Sequence, residues 1–115
     1  MYFLIIQLFK NEYKDDIFLA FTSSGIKKAS FFEGYNLDKV LQEEFSLFKG
    51  IIKPKEARER YSMLITGIID KKERVKEFIK VLKEAGIDID REEILRLVLL
   101  PVSMVIDKDL HFENE

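Results

Sequence analysis

Four carboxylates crowd one short stretch, Asp88, Asp90, Glu92 and Glu93 within GIDIDREE. Clustered carboxylates are the ligands hard cations take, so a calcium- or magnesium-type site is the chemistry this spacing would serve. The stretch lacks the glycine and the ligand spacing of a calcium-binding loop, which favours a solvated acidic turn. His111 is the single histidine, in DKDLHFENE. It cannot close a zinc site within one chain, although three copies meeting on an axis could. Thr22-Ser23-Ser24 beside Gly25 offers hydroxyls, but one distant histidine builds no nucleophile relay, and the run reads as helix-end chemistry. Cysteine is absent, so disulfides, thiolate metal sites and thiol nucleophiles are excluded. These residues name no cofactor, and no enzyme is expected.

Charge narrows the partners. The formal net charge is -2, and the basic residues Lys71, Lys72, Arg74, Lys76, Lys80 and Lys83 interleave with Glu73, Glu77 and Glu84. That pattern is an exposed helix face with i, i+4 pairs, not a phosphate-binding stripe. RYSMLITGI lacks the aromatic signature of RNA-binding sheets, so nucleic acid is not an expected partner.

The elements that would position these residues follow from periodicity. The 115 residues suit a single domain. FLIIQLF reads as a strand with two apolar faces, Phe3/Ile5/Gln7/Phe9 and Leu4/Ile6/Leu8. MYFLIIQLF has no basic leader and is far shorter than the roughly 20 residues a membrane span needs, so a cytoplasmic chain without direct membrane insertion is expected. NEYKDDIFLAFTSSGI places Tyr13, Ile17, Ala20 and Phe21 on one helical face, closed by Gly25. KASFFE, stopped by Gly34, is a second strand, and RYSMLITGIID a third. Asp70 with Glu73 resembles a capping box ahead of the stripe Val75, Phe78, Ile79 and Leu82, which Gly86 ends. EILRLVLLPV is the last long strand, with Pro101 closing it or marking an edge.

One offset lays Gly25-Ile26 on Gly86-Ile87, Phe3-Leu4 on Leu64-Ile65 and Leu8 on Ile69. Strand, helix, glycine stop and strand thus recur twice, which predicts an α+β ferredoxin-like βαββαβ sandwich with an antiparallel four-stranded sheet. The domain spans 1–106, and 107–115 is a polar C-terminal tail. Both helices of such a fold cover one sheet face, so FLIIQLF leaves an apolar face for something else to bury: the extra segment after strand two, other copies of the chain, or both.

That extra segment, 35–60, is a helical insertion between strands two and three. Leu37, Val40, Leu41, Phe45 and Phe48 share a helix face between Asn36 and Gly50, and a charged return with Lys53, Lys55, Arg58 and Arg60 follows. The stripe either fills out the core or docks on a protein partner through Leu41, Phe45, Phe48, Lys53, Lys55 and Arg58.

The strand MYFLIIQLF, the helix end SSGIKKASFFEG, the long connection and the second half TGIIDKKERVKEFIKVLKEAGIDIDREEILRLVLLPV resemble in layout the PII-like signalling proteins, small ferredoxin-like trimers. The resemblance covers most of 1–102 and implies a regulatory homotrimer. In such proteins the long connection, or T-loop, grips protein targets, and small anionic or nucleotide ligands occupy clefts between subunits. It places ligand contacts at Gly34, Tyr35, Gly86 and Arg91. The glycine-rich phosphate loop of typical PII proteins is here Gly86-Ile87-Asp88-Ile89-Asp90-Arg91-Glu92-Glu93, whose carboxylates repel a triphosphate unless a cation intervenes. Pro101-Val102-Ser103-Met104 stands where those proteins carry a basic pair. A structural or adaptor homotrimer with no small ligand is the alternative.

Overall fold

The computed structural model describes residues 1–45 and 60–114. The elements run β1 (Tyr2–Leu8), a 3-10 turn (Asn11–Tyr13), α1 (Lys14–Ser24), β2 (Ala29–Tyr35), α2 (Leu37–Phe45), β3 (Tyr61–Ile69), α3 (Glu73–Glu84), β4 (Leu95–Pro101), β5 (Met104–Asp107) and β6 (Leu110–Glu113). The chain is therefore α+β, with a four-stranded sheet in the order β2-β3-β1-β4 and a separate ribbon of β5 and β6. Every neighbouring pair in the sheet is antiparallel, an arrangement compatible with a ferredoxin-like fold.

β1 is one of the two inner strands, and apolar side chains on both of its faces suit that place. It pairs with β3 on one side and β4 on the other, so that Leu4 faces Gly67 and Leu99, and Ile5 faces Thr66 and Val98. Leu4, Ile6 and Leu8 are fully buried, together with Met63, Ile65 and Ile69 of β3. They meet Ile17, Ala20 and Phe21 of α1 and Val75, Phe78 and Leu82 of α3. Both sets recur at i, i+3, i+4 or i, i+3, i+7, the spacing that gathers side chains on one helix face. Phe21 and Phe78 join the helices with ring centroids 4.9 Å apart. The buried Ser24 hydroxyl donates to the Ala20 carbonyl at 2.6 Å, which satisfies a group that burial would otherwise penalise.

The two halves end their helices identically. Gly25 and Gly86 have φ of 76° and 84°, the left-handed region that costs a side-chain-bearing residue about 1–2 kcal/mol. Ile26 N–H donates to the Phe21 carbonyl and Ile87 N–H to the Leu82 carbonyl, both at 2.9 Å. Each isoleucine then tucks into the core, as a helix-closing glycine followed by an apolar residue should.

Several details depart from the sequence expectations. β2 runs through Gly34 to Tyr35, since an edge strand tolerates a glycine that leaves its ladder bonds intact. Lys72 sits at the N-cap of α3 with no side-chain capping bond. Asp70 pairs with Arg74 instead, and Arg74 Nη1 also donates to the Ser24 carbonyl at 3.4 Å. Pro101 both ends β4 and lies on an edge strand. The region expected as a polar tail, 107–115, contains β6, which pairs with β5 so that Val105 faces Phe112. Lys28 Nζ holds this ribbon through Asp107 Oδ2 at 2.8 Å. Among the described residues, no helix is long and apolar enough to cross a membrane.

Candidate functional site

The helices cover the Leu4/Ile6/Leu8 side of the sheet, so Phe3, Ile5 and Gln7 face the other way, with Leu64, Val98 and Leu100 from the flanking strands. At the end of this open face where β2 gives way to α2 lies a groove of about 790 Å³, and Tyr35, Asn36 and Leu37 form one wall. Its floor comes from β1 and β3, and Arg96 of β4 closes the far side.

Register sets an aromatic pair behind the wall, on the helix-covered side of the sheet. Because Tyr35 pairs with Tyr61 across β2 and β3, their rings lie 5.6 Å apart. The Arg60 guanidinium sits 4.9 Å from the Tyr61 centroid and 5.9 Å from that of Tyr35, within reach of both π faces. Asn36 ties the same point to the sheet. Its backbone N–H donates to the Arg60 carbonyl at 2.7 Å, and its Nδ2 donates to the Phe9 carbonyl at 3.0 Å. The root of the long connection is thereby fastened to the ends of β1, β2 and β3.

Arg96 is the principal cation on the far side of the groove. Its Nη1 donates to Gln7 Oε1 at 3.0 Å, and its guanidinium carbon stands 5.4 Å from the Phe9 ring centroid. Lys10 and Lys39 add positive charge to the lining, and Glu33, Asp38 and Glu93 oppose it. Planar guanidinium beside aromatic faces suits a flat ligand carrying an anionic group, since stacking and bidentate hydrogen bonding then act together.

Of the residues singled out from sequence, Gly34 and Tyr35 line the groove and Gly86 and Arg91 do not. Gly86 closes α3. Arg91 is highly exposed and pairs with Asp88 Oδ2 at 3.3 Å, within the acidic turn itself. Asp90 Oδ2 reaches Lys83 and Glu92 Oε2 reaches Lys10, each at 3.3 Å. Among the described residues, no group of three or more acidic or histidine side chains is placed to hold a metal. Leu37 and Leu41 of α2 are 70% and 46% exposed and do not reach the core. Phe45 is the last residue of α2, and Phe48, Lys53, Lys55 and Arg58 lie outside the described residues.

Arg96, Gln7 and Asn36 were missed as groove residues. Gln7 and Arg96 carried a signal: each is the one polar residue of a strand that is otherwise apolar, FLIIQLF and LRLVLLP. They pair across β1 and β4 and mark the open face.

The groups that titrate away from their ordinary values lie at the opposite end of the sheet. The hydrogen bond from Arg74 holds the Asp70 carboxyl low, and the hydrogen bond from Lys28 does the same for Asp107 while Lys28 itself is raised. These pairs serve the fold and the ribbon's attachment.

No protein-family model matches the sequence, and no curated protein matches it.

Proposed function

We propose that the chain is a divergent PII-like regulatory protein on a ferredoxin-like βαββαβ scaffold, with a helical insertion between strands two and three. In this reading the groove takes a small, flat, anionic ligand, and the 35–60 segment carries the signal to a protein target. One observation carries it: Tyr35 and Asn36 are at once a wall of the groove and the root of the long connection. A ligand that presses on Tyr35 or competes for Asn36 acts directly on the segment that would meet a partner. Coupling needs such a shared element, because a ligand shifts a conformation only by binding its alternatives differently.

The apolar open face completes the reading. Leu64, Val98 and Leu100 are exposed there and Phe3 and Ile5 are half-buried, and copies of the same chain burying these faces together, as a homotrimer, would cover them. The same face also favours a second reading, an adaptor homotrimer without a small ligand.

A thermal-shift screen of nucleotides, cyclic dinucleotides, bicarbonate and divalent cations separates the two, since a ligand specific to the native state raises the melting temperature. A hit that disappears in Arg96→Ala and Tyr35→Ala supports the regulatory reading. Loss in Arg91→Ala as well would mean that a neighbouring copy's acidic turn completes the site. An unresponsive protein with an intact assembly leaves the adaptor.

A further inference from the structure

β2 is the barest edge of the sheet. Among the described residues no strand lies on its outer side, and its seven residues, ASFFEGY, include no proline and no lysine. Its pairing with β3 is continuous, without a bulge. Natural edges are usually protected by one of those devices. Phe31, Phe32 and Tyr35 are instead 54%, 57% and 63% exposed.

The hydrogen bonds at the two ends of β2 reveal which of its groups are free. Ile68 N–H donates to the Lys28 carbonyl, and Asn36 N–H donates to the Arg60 carbonyl. Antiparallel ladders alternate bonded and non-bonded positions, so Lys28, Ser30, Phe32, Gly34 and Asn36 turn their main-chain groups toward β3. Ala29, Phe31, Glu33 and Tyr35 turn theirs outward.

We propose that two copies of the chain join edge to edge through β2, antiparallel about a two-fold axis at Phe32. In that register Ala29 lies opposite Tyr35 of the second copy and Phe31 opposite Glu33 of the second copy, with the converse pairs following by symmetry. Every outward N–H and C=O is then paired. The smallest side chain of the strand meets a large one, and the two Phe32 rings sit side by side on the open face, where a non-bonded pair brings Cα atoms to about 4.5 Å.

Other registers do worse. Centring on Glu33 sets two carboxylates directly opposite, which repel. Centring on Phe31 carries Tyr35 past the end of the second copy's strand. The strand's own pattern thus selects itself as occupant, which is the self-complementarity an isologous contact demands. Phe32, Glu33, Gly34 and Tyr35 also line the groove, so the test reads the mass of the assembly and not ligand binding, and its outcome does not depend on the regulatory reading.

Glu33→Pro is the sharpest probe, because the lost N–H is one that points away from β3 and the sheet keeps its ladder. Light scattering should show the mass of the native assembly halved. Unchanged mass in a folded Glu33→Pro protein overturns the proposal, as does a wild-type protein that is monomeric at micromolar concentration. Should the proline variant fail to fold, native-state amide exchange on the unmodified chain decides. The amides of Phe31 and Glu33 should exchange as slowly as those of Phe32 and Gly34 and lose that protection on dilution, whereas fast exchange in the intact assembly refutes the contact.

Discussion

Leu4 and Ile5 are neighbours in sequence that answer to different surfaces, and lysine at each should separate folding from assembly. Leu4 is fully buried beneath the helices. Truncation to alanine there should cost about 2–5 kcal/mol, against a total domain stability of roughly 5–15 kcal/mol, and Leu4→Lys should unfold the chain by stranding an unpaired ammonium in the core. Ile5 stands in the middle of the open face, between Thr66 and Val98. Around it Phe32, Leu64, Val98 and Leu100 retain 57%, 39%, 39% and 46% exposure. Full burial of such a side chain is worth about 1.5–3 kcal/mol, so covering what remains of these four yields roughly 3–5 kcal/mol per protomer. Two faces together supply about twice that, which only modestly exceeds the lower end of the roughly 4–15 kcal/mol that association costs. With so thin a margin, one ammonium in the centre of the face should be enough to separate the copies. Ile5→Lys should therefore keep a cooperative urea transition while light scattering reports a smaller assembly, and its midpoint should depend less on protein concentration. An Ile5→Lys protein of wild-type mass would refute the reasoning, because it would leave the open face outside the assembly.

Two further outcomes test the scaffold. Gly86→Ala should lose about 1–2 kcal/mol from left-handed strain alone, since nothing lies within 4 Å of the added methyl. Gly25→Ala should lose more, because its methyl meets the Arg74 guanidinium and must push it from the Ser24 carbonyl. Urea melts with Arg74→Ala as background should bring the two alanine variants together, and equal losses with Arg74 present would show that the guanidinium swings aside freely. The ribbon's anchor should fail at both extremes of pH. The Asp107 carboxyl is held below its ordinary value by the Lys28 hydrogen bond, so its contribution is full above the unfolded carboxyl range and fades as pH falls below about 4. Lys28 is raised by the same bond, so its contribution is full below the unfolded lysine range and fades as pH rises through the higher folded value. Amide exchange in β5 and β6 should quicken at acid pH, and in Asp107→Asn that acid step should vanish.

Some of this structure could be read directly from the chain because it rests on local rules. The glycine stops at Gly25 and Gly86, the helix stripes around Ile17 and Phe78, and the strand FLIIQLF each follow from the few residues beside them, and their repetition at one offset already implied two matching halves. The orientation of β1 was harder, because both of its faces are apolar and period alone cannot choose between them. Gln7 and Arg96 could have decided it, since a polar residue in each of two apolar strands is most easily accommodated where water or a ligand can reach it. Arg60 carried no such mark. Its role depends on Tyr35 meeting Tyr61, a pairing set by the register of strands separated by the whole long connection, and no local pattern encodes it. The ribbon β5–β6 was hidden for the opposite reason. Its strands are four residues each, the turn between them has no Asn-Gly or Asp-Gly signal, and an isolated two-stranded ribbon is marginal in water. It persists because Lys28 grips Asp107 and Val102 N–H donates to the Met1 carbonyl, contacts supplied by parts of the chain remote in sequence. With Met104 and Ile106 still exposed on its outer side, the ribbon has its own ladder and these few anchors to hold it, so loss of Asp107 should be felt along both strands, modestly because the pair is exposed, and hardly at all in β1.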